Sequence, residues 1–377
     1  MKSIYWHQKF LSRYIIVGFC LFMLLSLFVV EHFLSQKQQP YFHQKLDASS
    51  LTFNAFMNVK QQREKLGIKI DQKVDTMDMG LIGDKSSEIT TDPGILTAKK
   101  TSVNPNISAL FIEWFHEAGL KKGDTVAMAM TGSFPAADIA ALSAVKTMGL
   151  KPLIILSAGA SNYGANIPGF TFVNMYEGLV KGKIFDYRPI AVSLGGSQDR
   201  AYGLSKKGIL ALTQTIKESG FHYLKVQGTN DSIERRMALY KAATNEPISA
   251  YINVGGGMAS IGLKKLEGTL SRIKPKSLES GVTKTLPIYL TAVNSVAVNF
   301  LKQGIPVINL RHVTSTLSEN YNFPFNPQAL PLIGAGKIFI APAYNKTLGI
   351  GILILDILVL LLLTWLSQKY WITYKRK

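Results

Sequence analysis

Two long apolar segments near the ends of the chain constrain its fold more than any other sequence feature. The first, residues 14–34, contains a single acid, Glu31, near its far end. The second, residues 348–366, is interrupted only by Asp356. An α-helix needs about 20 apolar residues to cross a bilayer, and both segments are close to that length. The sequence therefore predicts two transmembrane helices, with most of the chain between them.

The flanks of these segments predict their orientation. Three basic residues precede the first segment and four follow the second, so the positive-inside rule places both tails, 1–13 and 367–377, in the cytosol. A cleaved signal peptide is the alternative for the first segment. However, 14–34 exceeds the usual apolar core of about 7–15 residues, and no small-residue cleavage site follows it. We therefore expect an uncleaved signal anchor and an extracytoplasmic middle region.

The net charge of +18 divides between the tails and this middle region. Seven basic residues lie in the tails and two acids lie in the apolar segments, which leaves +13 on residues 35–347. The basic residues there are scattered and match no recognition motif, so we expect no nucleic-acid partner. An anionic polymer or an anionic lipid surface fits this charge better. The only cysteine, Cys20, lies in the first segment, so the middle region is predicted to rely on packing rather than disulfides.

Residues 81–345 alternate short apolar runs with amphipathic patterns, which is typical of α/β proteins. The predicted strands are 125–131, 152–157, 189–194, 223–227, 251–254, 306–310 and 337–340, and the predicted helices are 106–118, 136–148, 206–219, 232–243 and 291–302. Continuous apolar strands indicate a mostly parallel sheet covered on both faces. We therefore predict a Rossmann-like extracytoplasmic domain over 81–345, preceded by a polar stalk or cap over 35–80.

Unusual loops follow four of the predicted strands, at the sheet edge where such folds bind ligands. The candidate ligand-binding residues in these loops are Gly132, Ser133, Ser161, Asn162, Tyr163, Gly195, Gly196, Ser197, Gly255 and Gly256. Hydroxyl, amide and backbone N–H groups suit an anion such as a carboxylate or phosphate. A plain helix cap is the first explanation of Ser133. For the small residues after 157, tight packing of the loop is as good an explanation as the close approach of a ligand. No loop matches G-x-G-x-x-G or a P-loop, so no nucleotide cofactor is expected.

Polar residues outside these four loops provide a few further candidates for catalysis, metal binding or contacts within the membrane. A polar segment over 83–106 is either part of the crevice mouth or a solvated loop. His312, with Ser133 and Asp199, would complete a hydrolase triad, although chance alone places a histidine near one of several strand ends. Asp199 and Arg200 are more readily explained as a surface pair. The six histidines lack metal-ligand spacing, so no metal site is expected. Asp356 predicts a contact within the membrane, to this chain or to another protein.

Several stretches of the middle region resemble, in order, the poly-gamma-glutamate system proteins, which accompany the ligase and membrane subunits that make and export bacterial poly-gamma-glutamate. The stretches are GDKSSEITTDPGILTAKKTSVNPN (83–106), KKGDTVAMAMTGSFPAADIA (121–140), LKPLIILSAGASNYGAN (150–166), SLGGSQDRAYGL (193–204) and VGGGMASIG (254–262). The resemblance supplies no catalytic residues. It implies an accessory protein of polymer synthesis and export in the bacterial inner membrane, with the anionic polymer and the synthase subunits as partners.

Two other functions are compatible with the same residues. The first is an envelope hydrolase or transferase that acts on gamma-glutamyl bonds, with Ser133 or His312 catalytic. The second is a non-catalytic scaffold that docks synthase subunits through Asp356. The resemblance favours an accessory subunit without catalytic activity over both.

Overall fold

The computed structural model describes residues 13–262 and 278–374. They divide into two compact units, Met1–Gln39 with Ile340–Lys377, and Pro40–Phe339. The helices are α1 (Arg13–His32), α2 (Phe42–Lys65), α3 (Leu96–Ser102), α4 (Ile107–Ala118), α5 (Pro135–Met148), α6 (Phe172–Lys181), α7 (Lys206–Glu218), α8 (Thr229–Ala242), α9 (Met258–Ile261), α10 (Val296–Lys302) and α11 (Lys346–Tyr374). The strands are β1 (Ser35–Gln38), β2 (Thr125–Thr131), β3 (Lys151–Ser157), β4 (Asn166–Ile167), β5 (Phe170–Thr171), β6 (Ala191–Ser193), β7 (Ile248–Val254), β8 (Gly281–Thr283), β9 (Val307–Leu310) and β10 (Ile340–Ala343).

The unit formed by the two chain ends contains both long apolar helices. α1 and α11 are each long and apolar enough to cross a membrane, and few side chains over Tyr14–His32 and Lys346–Leu366 are buried. The short strands β1 and β10 pair antiparallel next to them. Where the helices meet, Ser26 Oγ donates a hydrogen bond to Asp356 Oδ1 at 2.8 Å. The acid in the second apolar segment therefore has a polar partner on the first.

The Pro40–Phe339 unit is built around a six-stranded sheet, with the strand order β6-β3-β2-β7-β9-β8 among the described residues. Five strands are parallel, and the edge strand β8 runs antiparallel to β9. The chain moves outward from β2 to β6 on one side and then continues from β7 to β9 on the other. This reversal between β2 and β7 is a topological switch point, where a crevice opens at the carboxyl ends of the strands. The predicted α/β class and mostly parallel sheet are confirmed.

Both faces of the sheet are buried, because the side chains of each strand alternate between two cores. In β2, Met128 and Met130 face a core that includes α2, α4 and α5. Ala127 and Ala129 face a second core that includes α8 and α10. A strand covered on both faces needs apolar residues at every position, which explains the uninterrupted apolar run in β2.

Residues 35–80, expected to form a stalk or cap, are divided between the two units. The first part forms β1, and the remainder includes α2, which packs on α4 and α5. Phe56 of α2 is fully buried. Lys45, also fully buried, pairs with Glu113 of α4 and donates to the carbonyl of Ile338 at 2.8 Å. Helix α2 is thus an integral layer of the sheet unit.

Three predicted elements differ from the structure. Residues 223–227 form no strand, although Tyr223 makes an isolated bridge to Val192. The strand predicted at 337–340 begins at Ile340 and pairs with β1 instead of joining the six-stranded sheet. A short apolar run predicts an extended segment but not its pairing partner. The helix predicted over 291–302 begins at Val296, where Ser295 Oγ accepts a hydrogen bond from a backbone N–H of the first turn.

Candidate functional site

One crevice of about 680 Å³ collects the loops that follow β2, β3, β6, β7 and β9. These loops meet because the carboxyl ends of parallel strands lie at the same edge of a sheet. The predicted candidates that line it are Ser133, Ser161, Gly195, Gly196, Ser197, Gly256, Asp199 and His312. Gly132, Asn162, Tyr163 and Gly255 belong to the same loops but are not among the lining residues. The polar segment 83–106 contributes Thr91, Asp92, Pro93 and Ile95 to the wall.

The loop after β3 packs closely against other segments of the same chain, and this packing explains its small residues. A Cβ on Gly164 would lie 2.7 Å from the Gly132 carbonyl oxygen, and one on Gly159 would lie 2.6 Å from a methyl carbon of Thr91. Thr91 N–H also donates to the carbonyl of Ala160 at 2.8 Å, which holds the two segments together. Contacts below 3.0 Å leave no room for a side chain. Tight packing is therefore sufficient to account for glycine at 159 and 164.

Asn162 and Tyr163 hold this loop in place. The Asn162 side chain donates to the Lys85 carbonyl and accepts from the Gly94 N–H at 2.9 Å. Tyr163 has a positive φ of 59°, and its N–H donates to the Asp84 carbonyl at 2.8 Å. Both residues are used to join two segments of the wall, so their contribution to the crevice is indirect.

The glycines at other strand ends differ in their surroundings. A Cβ on Gly255 would lie 2.5 Å from a side-chain oxygen of β2, and one on Gly196 would lie 2.8 Å from Thr91. Both also have positive φ, 101° and 65°, where other residues are strained. By contrast, the nearest atom to a Cβ on Gly256 would be Arg311 Nε at 3.9 Å. The backbone at Gly256 is therefore open to a ligand.

A buried lysine lies behind the crevice wall, between the loops after β2 and β3. Lys99 of α3 is 3% exposed. Its Nζ donates to the Ser133 carbonyl and to Ser161 Oγ, the latter at 2.8 Å. Ser133 Oγ accepts from the Ser161 N–H at 3.1 Å. Helix α5 begins after Phe134, without a side-chain cap, so the helix-cap explanation of Ser133 is wrong. Ser133 instead ties the two loops together.

The surroundings of Lys99 favour its neutral form. Burial lowers the pKa of Lys99 to about 7, although the Asp138 carboxyl opposes this shift. Asp138 of α5 is itself fully buried, and burial raises its pKa well above the ordinary value, against the effect of the Lys99 charge. Burial disfavours the charged form of each group. Because the two groups interact electrostatically, the charge of each affects the pKa of the other.

A second buried cluster surrounds Asp199. Its Oδ2 accepts from Arg236 Nη2 at 2.8 Å and from Ser232 Oγ at 2.5 Å, and its Oδ1 accepts from Ser193 Oγ at 2.6 Å. Arg236 comes from α8 and is 2% exposed. The expected surface pair of Asp199 with Arg200 is wrong. Arg236 neutralises Asp199, because α8 packs against the turn that contains this acid.

His312 follows β9 at the exposed side of the crevice. Its backbone N–H donates to Ser280 Oγ at 3.3 Å. Among the described residues, its ring forms no hydrogen bond with Asp199 or Ser133, whose bonds go to other partners. The three side chains of the hypothetical triad share one crevice without being joined. Arg311, beside His312, adds a guanidinium whose pKa is lowered by burial and raised by the nearby Glu279.

The charged residues that organise the crevice were not predicted from the sequence. Lys99 is one of two adjacent lysines, and nothing in the sequence distinguishes it from Lys100. Asp138 did carry a signal, because it is the only charged residue in the apolar run from 135 to 145. Arg236 and Arg311 lie in stretches of ordinary polarity. Their roles depend on which elements cover them.

The part of the chain that the structure describes contains no cluster of three or more side chains suited to hold a metal ion. Comparison of the chain with profiles of protein families, with curated proteins and with solved structures finds no match in any of the three.

Proposed function

We propose that the crevice binds carboxylate groups of an anionic polymer. On this proposal the protein is a membrane-anchored accessory component of poly-gamma-glutamate synthesis and export, with the synthase subunits as partners. The observation that carries the proposal is the convergence of five strand-end loops, rich in hydroxyl and glycine residues, on one crevice that also holds two guanidinium groups. Arg236 neutralises Asp199 within it. Arg311 also lines the crevice, close to the open backbone of Gly256, and adds a guanidinium of the kind that binds carboxylates.

The charge and shape of the sheet unit support a polymer rather than a small metabolite. The net charge of +13 on residues 35–347 attracts a polyanion over a long range, especially at low salt. Within the crevice, His312 is exposed and the adjacent Arg311 is half-buried, so a polymer chain can approach from this side. A short-range carboxylate site combined with a basic exterior suits a protein that holds a polymer near its point of export.

The architecture supports the more detailed assignments in the same way. The sheet order, with a reversal between β2 and β7, is the arrangement expected of a Rossmann-like domain. The two apolar helices and the basic residues outside them support a bacterial inner-membrane protein with both termini in the cytosol. We place the sheet unit outside the cytoplasm on these grounds.

A binding experiment tests the crevice directly. The full chain in detergent micelles is titrated with poly-gamma-glutamate at low and at moderate salt. Arg311→Glu should weaken binding at least tenfold, because it replaces a carboxylate-binding group with a repelling one. Ser133→Asp combined with Ser161→Asp should act in the same direction. Lys241→Glu is the matched control, since Lys241 borders a groove at the opposite, amino-terminal edge of the sheet, beside Ile248 and Ile305.

The comparison of the two single variants decides between a site and a general charge effect. The two variants carry the same change in net charge. Equal loss of binding in both would show that the polymer responds to overall charge, and the crevice proposal would then be wrong. Poly-α-glutamate serves as a second ligand. A site that recognises isolated carboxylates should bind both polymers, whereas a site that contacts the polymer backbone should bind one of the two polymers more tightly.

A further inference from the structure

We propose that Ser161 and Lys99 form a serine–lysine dyad that carries out acyl transfer on a carbonyl group bound in the crevice. The side chains that carry this activity are not those considered from the sequence, which were Ser133 and His312. The inference goes beyond polymer binding. It rests on a different part of the crevice from the Arg311 site.

The geometry of the pair is that of a nucleophile and its base. Lys99 Nζ lies 2.8 Å from Ser161 Oγ, within the distance needed for direct proton transfer. Ser161 lines the crevice and is 7% exposed, whereas Lys99 is not part of the lining and is 3% exposed. A substrate can therefore reach the hydroxyl while water is kept from the amine. This arrangement protects the amine from solvation, which would otherwise keep it protonated.

The base must lose its proton near neutral pH, and its surroundings promote this. Burial lowers the pKa of Lys99 to about 7. Asp138 is the charged group that faces it, and burial raises the pKa of this carboxyl. A raised carboxyl pKa weakens the tendency of Asp138 to hold the lysine in its ammonium form. The face of the Phe134 ring lies 3.7 Å from Nζ and keeps water from that side, although its attraction for a cation opposes the loss of the proton.

Ser133 is placed to support the reaction without acting as the nucleophile. Its carbonyl accepts from Lys99 and so orients the amine toward Ser161. Its hydroxyl oxygen accepts from the Ser161 N–H, and within the described ranges the hydroxyl donates to no other residue. A hydroxyl has one donor in addition to its acceptor lone pairs. The Ser133 O–H is therefore free to stabilise the oxyanion that forms next to Ser161.

The reaction proceeds in two balanced steps. Ser161 Oγ attacks the carbonyl carbon of an amide or ester while its proton passes to Lys99, and the carbon–nitrogen or carbon–oxygen bond then breaks as the leaving group takes that proton. The product is an ester of Ser161. A water molecule then attacks this ester, gives a proton to Lys99, and releases the acid as Ser161 Oγ recovers the proton. The net reaction is hydrolysis by one water, or transfer if an amine replaces the water.

The first experiment uses the full chain in detergent micelles with p-nitrophenyl acetate as the probe. We expect a burst of p-nitrophenolate and a mass increase of one acetyl group, located on Ser161 by peptide mapping. Ser161→Ala should abolish this adduct. Lys99→Met should slow its formation by a factor of about 100 or more, the usual contribution of a general base. Lys100→Met is the matched control, because Lys100 lies on the same helix and bonds instead to the Lys73 carbonyl.

The pH dependence of the wild-type burst provides a measurement that needs no variant. Its rate should rise with pH and level off, with a midpoint near the pKa of Lys99. Absence of an adduct on Ser161, or an equal burst in a folded Lys99→Met variant, would overturn the dyad. If Lys99→Met does not fold, a burst rate that is independent of pH between 6 and 9 would overturn it. Because the probe is not a polymer, this result is independent of the outcome of the polymer-binding experiment.

Discussion

Replacing Arg236 by methionine should destabilise the sheet unit strongly. Arg236 Nε and Nη2 both donate to Asp199 Oδ2, and they also donate to Ser232 Oγ and Ser193 Oγ. Methionine fills much of the same space but donates nothing. The carboxylate of Asp199 would keep only the two hydroxyl donors, while remaining 8% exposed. A buried charge would thus lose the cation that neutralises it.

The expected magnitude follows from this loss. Breaking a buried ion pair by removing one partner costs roughly 3–5 kcal/mol, because the remaining charge stays uncompensated. A second change, Asp199→Asn, removes that charge while keeping a side-chain oxygen near Ser193 and Ser232. The double variant should therefore recover about 2 kcal/mol or more of the loss. The sign of this recovery separates a charge effect from lost packing, since packing alone would make the losses add.

Urea unfolding of the full chain in micelles, followed by tryptophan fluorescence, measures these free energies. Trp114 is the only one of the four tryptophans in Pro40–Phe339, and it is buried, so its emission reports on this unit. Arg235→Met is the matched control, because Arg235 is exposed and pairs with Asp231 on the surface of the same helix. A loss below about 1 kcal/mol for Arg236→Met, or a double variant no more stable than the single one, would refute the reasoning.

Three further predictions concern other parts of the molecule. The folded pKa of Lys99, about 7, lies below its ordinary value of 10.5, so the unfolded chain binds more protons between these values. The free energy of unfolding should then rise with pH in this window by up to about 1.4 kcal/mol per unit, and urea titrations of Lys99→Met, which leaves the facing Asp138 in place, should lack that rise. Gly164→Ala should cost about 1–3 kcal/mol in the same assay because its Cβ would meet backbone at 2.7 Å, whereas Gly228→Ala, with no atom within 4 Å, should change little. In a variant without the native cysteine, a cysteine at Lys217 should react with a membrane-impermeant maleimide in intact cells, and labelling only after permeabilisation would contradict the proposed orientation.

The fold could be predicted from the sequence where local pattern and burial agree. The strand predicted over 125–131 matches β2 residue for residue, because a central parallel strand is apolar along its interior, here from 126 to 130. The predicted ends of helices that precede a glycine were also close to the observed ends. One example is α5, which ends before Gly149, where φ is positive at 66°. The edge elements were less predictable. The segment at 337–340 has strand-like composition, but its pairing with β1 depends on residues about 300 positions earlier.

The location of the candidate site in the fold could be predicted from the sequence, but the contacts between its side chains could not. Parallel strands bring their carboxyl ends together, so the loops after four predicted strands had to meet at one edge. Which loop residue faces the crevice was not predictable. Ser133 and Ser161 both lie in hydroxyl-rich loops, yet only Ser161 accepts a hydrogen bond from the Lys99 amine at its side chain. That difference arises from the packing of α3, which is distant in sequence from both loops.

The sequence by itself determined the two apolar terminal helices, the α/β class and the edge of the sheet at which the loops gather, because hydrophobic periodicity and segment length are local properties. The tertiary structure alone decided the chemistry of the crevice. Lys99, Asp138 and Arg236 are ordinary charged residues in the sequence, and each becomes unusual only when helices from elsewhere in the chain remove it from water. Desolvation is a property of the folded environment, so the pairing of Arg236 with Asp199 and the lowered pKa of Lys99 exist only after folding.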